Sequence, residues 1–249
     1  MKLLLPLIIF SISLLTLSFS TKKIKRSKEQ NGFALIELFT SEGCSSCPAA
    51  DAVLEEVQKK YSDKNVLVVG YHVDYWDKLG WKDAFSNSLF TQRQEYYSNI
   101  FHLNSIYTPQ AIVNGRKEFI GSNKNKLTSS IDEQLNETPV SSIILKANQN
   151  TSGKIEVSYS IEDSNSKNDQ IIILLIQKMA TNKIGRGENE GKTLHHINIV
   201  RELFYLPVKE KSTMFSLPNE LTKEDVFIAG FIQDRSSGKI KTIRSSSIE

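Results

Sequence analysis

The rhythm of apolar and polar positions changes twice along this chain. Leu3 to Leu17 form a continuous apolar run broken only by Pro6 and a few hydroxyls, and a basic stretch follows it. From Phe33 the pattern becomes regular. "FALIELF" (Phe33 to Phe39) is a short apolar run that predicts a buried strand. Ala50, Val53, Leu54, Val57 and Tyr61 then recur at helical spacing, and "NVLVVGYHV" (Asn65 to Val73) predicts a second buried strand. Leu89, Phe90, Arg93, Tyr97, Ile100 and Phe101 mark a second amphipathic helix, with Ser86 or Ser88 available as its cap. "PQAIVNGRKEFIG" (Pro109 to Gly121) predicts a hairpin, because Asn114-Gly115 favours the type I′ turn that joins twisted strands. Leu127, Ile131 and Leu135 predict a closing helix. The expected order is β-α-β-α-β-β-α, an open sheet with helices on its faces.

The second change falls at Thr138-Pro139. Beyond it helical spacing gives way to alternation: Ile143, Leu145 and Ala147, then Ile155, Val157, Tyr159 and Ile161. "IIILLIQ" (Ile171 to Gln177) and "VFIAGFIQ" (Val226 to Gln233) are continuous runs that suit strands covered on both faces. Short strands separated by Asn, Ser and Gly clusters suggest a β-sandwich. The expected organisation is therefore an α/β domain over 31–138 followed by an all-β, sandwich-like domain over 139–249.

The N-terminal run changes this picture by adding a targeting segment. Lys2 and the apolar stretch, with Ser18 and Ser20 before Thr21, read as a signal peptide over 1–20. "KKIKRSK" (Lys22 to Lys28) then reads as part of a solvated basic linker over 21–30. The expected location is periplasmic or secreted, with no stable membrane insertion after cleavage. Cleavage removes one Lys, so the formal net charge falls from +3 to +2. A nucleic-acid protein would be far more lopsided, so no nucleic-acid partner is expected.

The candidate chemistry lies in "SEGCSSCPAAD" (Ser41 to Asp51), which holds the only two cysteines, Cys44 and Cys47. Such a pair could be a redox centre, part of a metal site or a local staple. A loop this short gains little from closure, since the entropic benefit grows with loop length. Its place between a predicted strand and a predicted helix favours chemistry, because helix N-termini stabilise negative charge and lower thiol pKa values. Cys44 is expected to be the exposed nucleophile, and Cys47 the resolving thiol one turn inward. Pro48 is tolerated in a first helical turn.

These features resemble a thioredoxin-like domain over about Asn31 to Glu137. That resemblance implies a cis peptide at Thr108-Pro109, with Pro109 facing the cysteines across a substrate groove that includes Thr108. It also implies a buried acid serving Cys47. Glu37 is the nearest candidate, although its spacing is one residue longer, and a satisfied structural carboxylate is the other reading. Thioredoxins commonly carry Trp before the first cysteine, where Gly43 stands here. A closer resemblance runs over almost the whole mature chain. "ELFTSEGCSSCPAAD", "HVDYWDKLGWKDAFSN", "FTQRQEYY", "YTPQAIVNG" and "GENEGKTLHHINIVREL" are similar to successive blocks of a secreted bacterial family known as the domain of unknown function number 1223. That family brings no settled substrate.

His72, Asp74 and Trp76 follow the second strand, where ligands tend to bind in open α/β sheets. They either line a groove beside the thiols or pack as an aromatic loop. "GRGENEGKT" (Gly185 to Thr193) fails both phosphate-loop spacings, since Arg186 and Glu190 stand where glycines are required, and reads as a charged inter-strand turn. His195-His196 read as core or surface histidines.

The sequence thus points to an exported thiol–disulfide oxidoreductase. Its partners would be protein or small-molecule thiols and disulfides, and it would need neither cofactor nor metal. Two alternatives use the same residues. One is a metallochaperone binding Cu(I) or Zn(II) through the thiols. The other is a non-catalytic binding module with a fixed disulfide.

Overall fold

The computed structural model describes residues 32–162 and 167–249. The expected signal peptide and basic linker lie outside the described residues. The strands and α-helices of the first half run β1 (Ala34–Thr40), α1 (Cys47–Lys60), β2 (Val66–His72), α2 (Ser88–Ile100), β3 (Gln110–Val113), β4 (Lys117–Ile120) and α3 (Lys124–Leu135). Seven strands follow: β5 (Ser142–Gln149), β6 (Ile155–Glu162), β7 (Asp169–Lys183), β8 (Thr193–Pro207), β9 (Ser212–Phe215), β10 (Val226–Asp234) and β11 (Ile240–Ser246).

These strands do not divide as the composition suggested. One eight-stranded mixed sheet runs β11-β10-β7-β8-β2-β1-β3-β4, and only β5-β6-β9 form a second, three-stranded sheet. The expectation of a thioredoxin-like domain followed by a separate sandwich-like region is therefore corrected. Apolar periodicity reveals which faces of a strand are buried, but the backbone edges that pair strands leave no such mark. Here the β2 edge is taken by β8 through the parallel pairing of Gly70 with Ile199.

The core follows from this joining. β7 is apolar on both faces because both are covered. Ile171, Ile173 and Leu175 pack with Leu145, Val157 and Ile228 beneath the small sheet. Ile172, Leu174 and Ile176 instead join Phe39, Tyr71, Phe90 and Tyr97, so this cluster takes residues from both halves of the chain. A third cluster packs α1 and α3 on the other face of β1, with Ile36 and Leu38 against Ala50, Leu54 and Val57. Burying a Leu or Val side chain contributes about 1.5–3 kcal/mol, which is what holds α1 to the sheet.

Local details have local causes. Asn87, rather than either neighbouring Ser, caps α2 by accepting from the Leu89 N–H at 2.9 Å. Asn114 and Gly115 both have positive φ, at 50° and 63°, as the turn between β3 and β4 requires.

Candidate functional site

The site forms where β1 ends and α1 begins. The Cys44 N–H donates to the Ser41 carbonyl and the Cys47 N–H to the Cys44 carbonyl, each at 3.2 Å, giving two successive turns into the helix. Pro48 occupies the first helical turn, and Lys59 and Lys60 in the last turn complement the helix dipole. The side chain of the N-cap residue Ser46 makes no capping hydrogen bond, and the first turn of the helix contains no acid. Cys44 and Cys47 are joined as a disulfide, with Cα atoms 5.4 Å apart. The Ser46 hydroxyl lies 3.3 Å from Cys44 Sγ.

Cys44 is 1% exposed and Cys47 0%, so the expectation of an exposed Cys44 does not hold for the disulfide state. The adjoining loop is held by the β7–β8 turn, which the sequence reading had set aside. Glu188 accepts from the Ser45 N–H at 3.0 Å, and Asn189 donates to the Glu42 and Cys44 carbonyls at 2.8 and 2.9 Å. Gly43 lies against Trp76: a Cβ there would come within 3.2 Å of the Trp76 Cβ, so this position has little room for a side chain.

Several expected residues do converge here. Trp76 Nε1 donates to Thr108 Oγ1 at 2.8 Å. The Thr108–Pro109 peptide is cis. A Cβ at Gly121 would touch both Ala50 of α1 and Pro109, so Pro109 lies near the first turns of that helix. Asp74 is turned instead towards α2, where its carboxylate accepts from Thr91 Oγ1 at 2.6 Å.

Glu37 lies on the opposite face of the sheet from α1. Its neighbours Ile36 and Leu38 belong to the α1 cluster, and alternation along β1 sends Glu37 the other way. There it accepts from Arg93 Nε at 2.6 Å and from the Tyr97 hydroxyl at 2.5 Å, fully buried. This geometry matches the structural reading of Glu37.

The acids near the cysteines are different ones. Thr40 faces α1 and donates to Asp51 Oδ1 at 3.3 Å. Asp51 Oδ2 lies 3.3 Å from His196 Nδ1, and Glu42 Oε1 lies 3.3 Å from His196 Nε2. These are ion-pair contacts, too poorly aligned to be hydrogen bonds. Glu42 also accepts from Trp81 Nε1 at 2.8 Å and Asn182 Nδ2 at 2.7 Å. Behind His196, His72 stacks edge-on at 4.8 Å and pairs with Asp83 at 2.7 Å. Burial alone would lower the His196 pKa, but the Asp51 and Glu42 carboxylates outweigh it and push it up to about 9. Burial likewise works to raise the Asp83 carboxyl, yet His72 and the Glu42 and Phe85 N–H groups hold it below its ordinary value.

Sequence reasoning missed Glu42, Asp51, Asp83, Glu188, Asn189 and His196. Two signals were available: Asp51 stands one helical turn after Cys47, and Glu42 directly precedes Gly43-Cys44.

Fold and site together define a mixed α/β protein whose single large sheet carries a disulfide at a helix start, backed by buried acids and histidines. The chain belongs to the family described as "Protein of unknown function (DUF1223)", which matches residues 35–233. A crystal structure of a protein from Agrobacterium tumefaciens is similar, with 24% identity and a TM-score of 0.62, over 87% of this chain and 94% of that one. HBP35 of Porphyromonas gingivalis is similar at 15% identity and a TM-score of 0.60, over 88% of this chain and 76% of that one. At these identities the likeness concerns the fold alone. No curated protein matches the chain. Among the described residues no helix is long and apolar enough to cross a membrane.

Proposed function

We propose that this protein is a thiol–disulfide oxidoreductase that works outside the cytoplasm, in the periplasm or as a secreted protein. The observation that carries the reading is the Cys44–Cys47 disulfide at a helix start whose N-cap residue Ser46 makes no side-chain capping bond. A ring this short is a poor staple, whereas the helix N-terminus favours a thiolate once the bond is reduced. The apolar run at the N-terminus supports export, and disulfides persist in oxidising compartments.

In the proposed reaction the Cys44 thiolate attacks one sulfur of a substrate disulfide, and the other substrate sulfur leaves as a thiolate. Cys47 then attacks Cys44, the mixed disulfide breaks, and the second substrate sulfur leaves. Two electrons pass from the protein dithiol to the substrate disulfide, and the reverse sequence oxidises a substrate dithiol. The Ser46 hydroxyl, 3.3 Å from Cys44 Sγ, is placed to donate to the Cys44 thiolate. Trp76 and Thr108 would border the substrate beside Gly43 and Cys44.

The burial of both cysteines favours a second reading, a fixed disulfide in a non-catalytic module. Cys47→Ser and Cys44→Ser variants separate the two. The redox reading expects Cys47→Ser to accumulate mixed disulfides with dithiol-containing proteins through Cys44, and Cys44→Ser to accumulate few. Equal behaviour of the two variants, with neither trapping a partner, would leave the fixed-disulfide reading in place.

A further inference from the structure

We propose that Asp51, oriented by His196, is the proton acceptor for the Cys47 thiol when Cys47 resolves a mixed disulfide at Cys44. This rests on the oxidoreductase reading and assigns the proton that the reading leaves without a destination.

Cys47 opens α1 and is fully buried, so a thiol there cannot pass its proton directly to bulk water. A buried thiolate without a proton acceptor or partner is costly. Residues at i and i+4 of a helix sit one above the other, with Cβ atoms roughly 5–6 Å apart, and Asp51 stands in that relation to Cys47. Glu37 cannot serve, because it faces the other side of the sheet and is saturated by Arg93 and Tyr97.

The hydrogen bonds of the cluster select Asp51 over Glu42. Glu42 already accepts well-placed bonds from Trp81 and Asn182. Among the described residues Asp51 holds the 3.3 Å contacts to Thr40 and His196. With His196 as a cation between two carboxylates, the trio carries one net negative charge. The pKa of about 9 keeps His196 protonated through neutral pH, so the imidazolium is not the acceptor. Asp51 retains 12% side-chain exposure, an edge from which that proton can reach solvent.

Other charged groups surround the trio. His72 and Asp83 pair behind His196, and Phe85 separates it from Arg201, whose guanidinium lies 5.5 Å from that ring. Lys192 is bonded to Asn189 at 2.9 Å, Glu188 to the Ser45 N–H, and His195 to Thr181 at 2.9 Å.

The Cys47 S–H bond breaks and its proton passes to an Asp51 oxygen. The Cys47 thiolate forms a bond to Cys44 Sγ, the Cys44–substrate S–S bond breaks, and the substrate sulfur leaves as a thiolate. Asp51 then releases the proton to water.

The test uses the full chain, reduced and mixed with the aromatic disulfide 5,5′-dithiobis(2-nitrobenzoate). Attack by Cys44 releases one coloured thiolate, and resolution by Cys47 releases a second in a step independent of probe concentration. In Asp51→Asn the second phase should slow roughly 10²-fold near neutrality and regain rate only at higher pH. The first phase should stay unchanged, and Asp51→Glu should restore part of the second. If Asp51→Asn fails to fold, His196→Gln should slow the second phase and shift its pH profile. A second phase with the wild-type rate and pH profile in Asp51→Asn, or in His196→Gln should it be needed, overturns the assignment. Equal slowing of both phases overturns it too. A wild-type protein that releases no second thiolate overturns the oxidoreductase reading, and this assignment with it.

Discussion

Replacing Arg93 by Leu should strand a carboxylate in the largest core. Arg93 and Glu37 are both fully buried and meet at 2.6 Å. The guanidinium also donates to the Tyr97 hydroxyl at 3.0 Å and to Gln233 of β10 at 3.3 Å, so the network ties α2 and β1 to a strand of the second half. Removing one partner of a buried pair costs about 3–5 kcal/mol, mainly through the charge left behind. For a chain of this size each kcal/mol moves Tm by roughly 2–4 °C, so the midpoint should fall by about 6–20 °C. Urea denaturation followed by tryptophan fluorescence would measure the loss, with an unchanged m-value showing that the transition stays two-state. Arg93→Leu with Glu37→Leu should lose less than the two single variants summed, by at least about 1 kcal/mol, because neither charge is then stranded. A single-variant loss below about 1 kcal/mol, or strict additivity, would refute the reasoning.

His196 has a folded pKa of about 9 against an ordinary value of 6.5, so its ion pairs stabilise the fold fully below about pH 6.5. That contribution, at most about 3 kcal/mol, should disappear as pH rises through 9. Denaturation midpoints across this range should show the decline, and His196→Gln should flatten it; an equally steep decline in the variant would contradict the assignment. A fragment ending at Thr138 should not melt cooperatively, because Phe39, Tyr71 and Phe90 share their core with Ile172, Leu174 and Phe231. A sharp thermal transition from residues 31–138 would show that the shared core is dispensable.

Much of this was legible residue by residue. The spacing of Ala50, Leu54 and Val57 marks the buried face of α1, and Asn114-Gly115 marks the turn between β3 and β4, because both signals are local. The joining of the two halves was not legible. Gly70 opposite Ile199 is a backbone pairing, and nothing in a continuous apolar run such as "IIILLIQ" says which strand lies beside it. The candidate site divides along the same line. Cys44 and Cys47 stand out by spacing and scarcity, as does Pro109 by its place before a strand. Asn189 reaches the Cys44 carbonyl from a turn of ordinary sequence, and His196 reaches Glu42 and Asp51 from β8, each across at least 145 positions. Glu37 drew notice as a carboxylate in an apolar run, and its partners Arg93 and Tyr97 become apparent only when α2 is laid across the sheet.

The reduction potential of the Cys44–Cys47 pair tests the central claim most directly. Equilibration of the full chain against defined ratios of reduced and oxidised dithiothreitol or glutathione, quenched by alkylation, would give the value. A working oxidoreductase should fall between about −270 and −120 mV, where thiol–disulfide exchange proteins lie. A potential below about −300 mV, in the range of structural disulfides, would contradict the account and make the bond a fixed feature of the fold.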